Sequence, residues 1–115
     1  DYRIAINGQY ICQANEVRNN MDIPIQMMEI VKARVNKRFF YRAVLHGDPL
    51  NMKESLEAGY LDELTSHEDF MNRVLEKAED LATLGHPFYE KTKSVSQADT
   101  VKKISYALVY YQRWH

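Results

Sequence analysis

The sequence predicts an α+β fold that is mostly helical, with a short β-hairpin followed by packed helices. Residues 1–13 alternate in apolar character, with Tyr2, Ile4 and Ile6 on one face, as a half-buried strand does. From about Pro24 onward the apolar residues recur three and four positions apart, which is the spacing of amphipathic helices. Helix start and stop signals then divide the rest of the chain into several helices.

The predicted hairpin turns at Asn7-Gly8. Both residues tolerate positive φ, which a tight two-residue turn requires. Residues 9–13 are then expected to return as a second strand beside residues 1–6. A two-stranded hairpin is marginal in water, so this element is expected to need further strands to pair with.

Helical spacing begins at Pro24 and predicts a first helix over residues 24–35. Proline suits the first helical turn, where its missing N–H costs nothing, and Asp22 can cap the chain before it. After an interruption at residues 36–38, the apolar stripe resumes and predicts a second helix over residues 39–45.

Signals at both ends predict a third helix over residues 52–58. Asn51 and Glu54 have the spacing of a capping box, in which each side chain bonds the other residue's backbone N–H. Gly59 stands where a helix end favours a left-handed residue. A short strand over residues 60–64 follows, and we expect it to have a structural role only.

Two further helical regions complete the pattern. Ser66 is expected to cap a fourth helix with a broad apolar face. Residues 88–93 predict another helical turn, which breaks at residues 94–96. The last helix is expected over residues 97–114, after a second capping signature.

The last predicted helix carries apolar side chains around its whole circumference. Its aromatic residues are Tyr106, Tyr110, Tyr111 and Trp114. Exposed apolar patches of this size mark contacts. We therefore expect two buried faces, one turned inward and one against a partner subunit.

Composition excludes several classes of function. The chain has 115 residues, 45% of them hydrophobic, so one domain or less is expected. A net charge of −1 with interspersed signs gives no basic surface for nucleic acid or membrane. The single cysteine, Cys12, excludes an internal disulfide framework. With no spanning apolar run and no metal-ligand spacing among the histidines, a cytoplasmic protein without a metal is expected.

Glu16 is the candidate catalytic residue. It is the only carboxylate between Asp1 and Asp22, and short polar residues surround it. It lies in the junction between the strand-like segment and the first helix, where scaffolds commonly display chemistry. The alternative is a solvated surface residue, or a partner for the nearby Arg18.

Several segments resemble the crotonase superfamily, the enoyl-CoA hydratase/isomerase-like proteins. The first runs from Asp1 through Asn15-Glu16-Val17 to Met21 and Pro24, where a strand, a Glu-bearing turn and a helix-opening proline follow in order. Gly47-Asp48 comes next, and residues 57–64 (EAGYLDEL) are similar to the family signature eA-x-x-aGlvd-x-v. The resemblance reaches Lys91-Thr92-Lys93 and covers most of the chain.

The resemblance implies a place in a larger fold. Residues 1–64 are expected to form the C-terminal end of a crotonase-like spiral core, and residues 65–115 a helical oligomerisation region. The chain is then expected to be the carboxyl half of a longer protein. The upstream half would hold the family's first catalytic carboxylate and both backbone donors of its oxyanion hole. Family members bury their C-terminal helices in trimers or hexamers, so a homo-oligomer is implied.

The resemblance also implies an acyl-CoA substrate and no cofactor, coenzyme A being part of the substrate. Glu16 would align with the family's second glutamate, which moves a proton at the acyl chain or positions water. Met21, Ile23, Pro24 and Met27 are the candidate substrate-binding residues, although such residues also commonly form plain core.

The chain also departs from the hydratase pattern. It has Asn20 before Met21 and Ile25-Gln26 after the proline, and it lacks the usual final hydratase helix. Hydratase, isomerase and thioester hydrolase therefore stay open. The alternative is a non-catalytic helical assembly or interaction domain.

Overall fold

The computed structural model describes the backbone of residues 1–114 and the side chains of residues 1–110. The described chain contains five helices and two short strands, joined by loops. In chain order they are β1 (Ile4–Ile6), α1 (Ile25–Arg34), α2 (Lys37–Val44), α3 (Met52–Ala58), β2 (Glu63–Thr65), α4 (Phe70–Ala82) and α5 (Phe88–Trp114). A short 3-10 turn, Val17–Asn19, precedes α1. The predicted α+β, mostly helical class is confirmed.

The predicted hairpin is wrong, because β1 pairs in parallel with β2 instead. Ile4 stands opposite Glu63 and Ile6 opposite Thr65. The positive φ that a two-residue hairpin turn needs is absent at Asn7 and Gly8. Residues 9–13 therefore leave β1, and the long-range partner forms the sheet.

The buried core lies where α1, α2 and α3 meet. Its central cluster consists of Val35, Phe39, Leu50 and Ala58, with Tyr60 packed against it. Leu50 is fully buried. Apolar burial of this kind is the main favourable term in folding, so the cluster fixes the three helices relative to one another.

Local capping signals act as predicted around α3. The Asn51 side chain accepts from the Glu54 N–H at 2.8 Å, and the Glu54 carboxylate accepts from the Asn51 N–H at 3.2 Å. Gly59 ends the helix with φ +97°. Asn36 caps α2 in the same manner, accepting from Phe39. These contacts satisfy backbone groups that a helix end would otherwise leave unpaired.

The predicted break at residues 94–96 is wrong, since α5 runs without interruption from Phe88 to Trp114. No glycine or proline follows Pro87, and the Ser96 hydroxyl bonds the Lys93 carbonyl within the helix at 2.9 Å. Ser96, which was predicted to cap a new helix, therefore lies inside α5.

One side of α5 packs against α1. Ala107 is buried there, whereas Tyr106 and Val109 on another side are 73% and 64% exposed. The inward face predicted for this helix is therefore present. The side chains of Tyr111 and Trp114, which the sequence also placed on its apolar surface, lie outside the described residues.

Candidate active site around Glu16

Glu16 opens the 3-10 turn that precedes α1. Its carbonyl accepts hydrogen bonds from the N–H groups of Asn19 and Met21, both at 2.9 Å. Asn20 adopts a left-handed conformation with φ 57° and donates its N–H to the Val17 carbonyl at 3.2 Å. Asparagine tolerates this conformation better than most residues do. The turn therefore holds the backbone of Glu16 in one geometry.

The segment of residues 12–20, called the glutamate loop below, is fastened to the turn that follows α2. Cys12 and Leu50 exchange two backbone hydrogen bonds of 3.0 Å each. The Gln13 side-chain amide donates to the Gly47 carbonyl at 2.9 Å. Because Leu50 is fully buried, these bonds tie the loop directly to the core.

Arg18 provides the other fastening, and it does not pair with Glu16. Its guanidinium donates to the His46 carbonyl at 2.8 Å and to the Asp48 carboxylate at 3.1 Å. Arg42 binds the same carboxylate at 3.2 Å, and these two guanidinium groups hold the pKa of Asp48 below its ordinary value, with Arg42 the larger cause. The cation nearest Glu16 in sequence is therefore engaged elsewhere.

Glu16 is half-buried, and one of its carboxylate oxygens, Oε2, is buried without a hydrogen-bond partner among the described residues. A buried polar atom without a partner costs free energy, and such atoms in native proteins call for an explanation such as a catalytic role. Glu16 is thus neither a freely solvated surface residue nor half of an ion pair.

Tyr60 and Cys12 are the titratable groups that share this region. Burial raises the pKa of Tyr60, and electrostatic interaction with Cys12 and Glu16 raises it further. The Tyr60 side chain is half-buried, since its ring packs against the core cluster. Sequence reasoning missed Tyr60 because it lies in a segment whose pattern indicated packing only.

Comparison with solved structures identifies the fold. No protein-family model and no curated protein matches the sequence. Among solved structures, a probable enoyl-CoA hydratase from Mycobacterium tuberculosis H37Rv is 30% identical, with a TM-score of 0.91, over 98% of this chain and 48% of its own. The chain has the fold of the carboxyl-terminal half of the crotonase superfamily.

Two further solved structures have the same fold over this chain. A second structure of the same Mycobacterium tuberculosis protein, described there as an enoyl-CoA isomerase, is 32% identical over 93% of this chain and 47% of its own, with a TM-score of 0.87. An enoyl-CoA hydratase/isomerase family protein from Pseudomonas syringae is 26% identical over 100% of this chain and 50% of its own, with a TM-score of 0.92. The chain spans about half the length of the solved structures that it matches.

The four candidate substrate-binding residues follow Glu16 on this crotonase-like half. Met21 and Met27 are 60% and 51% exposed, while Ile23 and Pro24 are half-buried. Pro24 begins α1 by accepting the Met28 N–H at 2.9 Å. None of the three cavities found among the described residues joins these residues to Glu16, so their binding role stays a prediction.

The cavities of the crotonase-like half lie beside the site rather than at it. A cavity of about 610 Å³ between α5 and the residues that precede β1 is lined by Arg3, Arg34 and Lys93 among others. An apolar groove of about 310 Å³ runs along β1 and includes Cys12. Glu16 lines neither of them.

The described residues hold no group of histidine, cysteine, aspartate and glutamate side chains arranged to bind a metal ion. Within the same residues, no helix has the length and apolar character that crossing a bilayer requires.

Proposed function

We propose that this chain supplies the proton-transfer residue of an acyl-CoA-processing enzyme of the enoyl-CoA hydratase/isomerase type. The observation that carries the proposal is the half-buried Glu16 carboxylate, whose Oε2 has no partner although Arg18 lies two residues away. The Mycobacterium tuberculosis protein that is 30% and 32% identical in its two solved structures supports it, because those structures are described as a probable enoyl-CoA hydratase and an enoyl-CoA isomerase.

Glu16 would act on a thioester held by the other half of the site. In crotonase-like proteins two backbone N–H groups polarise the thioester carbonyl and stabilise an enolate-like state. For proton transfer, Glu16 must come within about 3 Å of the reacting carbon or of a water molecule. In an isomerase it would carry a proton between two carbons of the acyl chain; in a hydratase it would orient the attacking water.

The substrate side of the proposal includes Met21, Ile23, Pro24 and Met27. Thioether side chains adapt to irregular apolar surfaces, and exposed Met21 and Met27 are free to contact an acyl chain. Coenzyme A enters only as part of the substrate, and no other cofactor is proposed. The single free thiol, Cys12, supports a reducing, cytoplasmic location.

The test is Glu16→Gln in the intact protein that carries these residues. Removing a general acid or base typically costs about 10²- to 10⁴-fold in rate, so hydration of crotonyl-CoA and isomerisation of a 3-enoyl-CoA should both fall by at least that factor. Glu79→Gln, an exposed carboxylate on α4, is the matched control and should leave both rates unchanged.

Full activity in Glu16→Gln would overturn the proposal. The 115 residues assayed alone are expected to give no turnover, because the resemblance assigns both oxyanion donors to residues upstream of Asp1. Hydration of crotonyl-CoA by these residues alone would contradict that expectation.

We also propose that the protein is a homo-oligomer, a trimer or hexamer, assembled partly through α5. The outer side of α5 exposes Val95, Tyr106 and Val109, each to 64% or more. Apolar surface of this kind is normally covered by a partner. The same observation supports the second candidate function, a non-catalytic assembly domain, which predicts that Glu16→Gln changes no activity.

A further inference from the structure

The Arg42 guanidinium is held in place from two sides. It lies over the ring of the buried Phe39, with 5.1 Å between its central carbon and the ring centroid. Its Nε donates to the Asp48 carboxylate at 3.2 Å, and one terminal nitrogen donates to Glu54 at 3.4 Å. Glu54 also belongs to the capping box of α3. Arg42 is thus fixed to the buried core and to α3 at once.

Asp48 connects this fixed guanidinium to the glutamate loop. One of its carboxylate oxygens accepts from Arg42, and the other accepts from Arg18 at 3.1 Å. Arg18 also donates to the His46 carbonyl at 2.8 Å. Its aliphatic stem lies against Gly47, where a Cβ would stand 3.1 Å from the Arg18 Cγ. The turn that follows α2 therefore holds Arg18 along its whole side chain.

Arg18 is the middle residue of the 3-10 turn that Glu16 opens. The residue after it, Asn19, donates its N–H to the Glu16 carbonyl at 2.9 Å, and so does Met21. Holding Arg18 thus holds the backbone from which the Glu16 carboxylate projects. A working side chain needs this kind of support from neighbours that are themselves locked.

We propose that Arg18 is a positioning residue for Glu16, and that Asp48, shared between Arg18 and Arg42, is the link through which the core sets the position of the Glu16 carboxylate. The inference rests on the function proposed for Glu16. The Arg18 side chain is 54% exposed, and ion pairs this exposed add little to stability. A displacement of about 1 Å at a reacting group can, by contrast, cost about 10²-fold in rate. The effect of this link therefore belongs to the rate.

Arg18→Met in the intact protein tests the proposal, because methionine keeps an unbranched stem and removes only the guanidinium. We expect kcat for hydration of crotonyl-CoA or isomerisation of a 3-enoyl-CoA to fall about tenfold or more, with KM nearly unchanged. The melting temperature should stay within about 2 °C. Arg18→Lys keeps a cation beside Asp48 and should retain kcat within about threefold of the natural protein.

Lys103→Met is the matched control. Lys103 is similarly exposed, at 47%, and its pair with Asp99 on α5 has the same length of 3.1 Å. Breaking this pair should leave kcat unchanged. A fall in kcat as large as that of Arg18→Met would overturn the inference, since loss of any surface ion pair would then suffice.

Two double variants separate positioning from a structural role. Because Arg18 is proposed to act through Glu16, Arg18→Met should cause no further loss in the Glu16→Gln protein. Asp48→Asn should lower kcat by itself, and combined with Arg18→Met it should be no worse than Arg18→Met alone, since both break one link. Equal losses in both Glu16 backgrounds, or a loss of kcat that follows a loss of melting temperature, overturn the inference.

The outcomes also distinguish this inference from the proposed function. If Glu16→Gln abolishes activity while Arg18→Met and Asp48→Asn both keep full kcat, this inference alone fails. If Glu16→Gln is fully active, the proposed function fails as well.

Discussion

At the scale of single residues, Gly59 decides how the chain passes from α3 to Tyr60. Its φ of +97° is a conformation that side-chain-bearing residues rarely adopt. A Cβ at this position would come within 2.6 Å of the Arg34 carbonyl oxygen, a backbone atom that cannot move aside. The glycine therefore permits both the turn and the close approach of α1.

Gly59→Ala is expected to destabilise the protein by about 2–4 kcal/mol, since the left-handed strain and the clash add. The measurement is the free energy of unfolding in urea. Gly85→Ala is the control: its Cβ would meet Phe88 at an ordinary 3.7 Å, so a change below about 1 kcal/mol is expected. Equal effects at both glycines would refute this account of Gly59.

Residue by residue, the sequence predicted Glu16 because an isolated carboxylate in a loop is visible as a pattern. The unpartnered Oε2 was not predictable, since it depends on where Arg18 points, and Arg18 binds residues about thirty positions away.

At the scale of elements, an ion pair joins β2 to α4. The Arg73 guanidinium donates to both carboxylate oxygens of Glu63, at 2.6 and 2.7 Å, and the Tyr2 hydroxyl donates to the same carboxylate at 3.0 Å. Bidentate pairs of this kind are the stronger ion pairs. They lower the pKa of Glu63 to about 2, with Arg73 the largest cause.

This shift makes stability depend on pH in a defined window. A carboxyl group whose pKa is lowered in the folded state contributes stability above its unfolded value, near 4.5, and loses it as the pH falls to about 2. Glu63→Gln should therefore be less stable than the natural protein at pH 6 and lose less on going to pH 2. The urea concentration at the midpoint of unfolding, measured for both proteins between pH 2 and pH 6, tests this difference in stability. Glu79→Gln should keep the natural slope, and an unchanged slope in Glu63→Gln would contradict the pairing.

The helix α3 was predictable because its cap and its stop are local. Asn51, Glu54 and Gly59 act over a few residues, and all three behave as their pattern indicates. The caps predicted from Asp22 and Ser66 are wrong, since the N-cap residues of α1 and α4 are Pro24 and Asp69, without a side-chain cap. The strand pairing was not predictable, because β1 finds its partner across the whole of α1–α3. The continuity of α5 was missed because serines that can cap a helix can also bond within one.

At the scale of the whole molecule, α5 has one covered side and one uncovered side. Its inner side packs on α1, and its outer side presents the exposed Val109 and Tyr106. Sequence periodicity indicated apolar residues all round this helix, but only the fold shows which of them α1 covers. The remaining surface is the one proposed to bind another copy of the chain.

Val109→Glu in the intact protein should shift the sedimentation profile from the oligomer towards the monomer. A charge buried in an interface without a partner is costly, so assembly is expected to weaken by about tenfold or more. Val109→Ile keeps the surface apolar and should sediment as the natural protein does. An unchanged oligomer in Val109→Glu would exclude this face of α5 from the contact.

The fastening of the glutamate loop has a consequence for how the protein is made. Its anchors, the carbonyls of His46 and Gly47 and the carboxylate of Asp48, are 28 to 34 positions further along the chain than the groups they hold. A ribosome adding about 5–20 residues per second needs about one to seven seconds to deliver them. During that interval nothing holds the glutamate loop in place, so the geometry around Glu16 can form only after the turn that follows α2 has been synthesised.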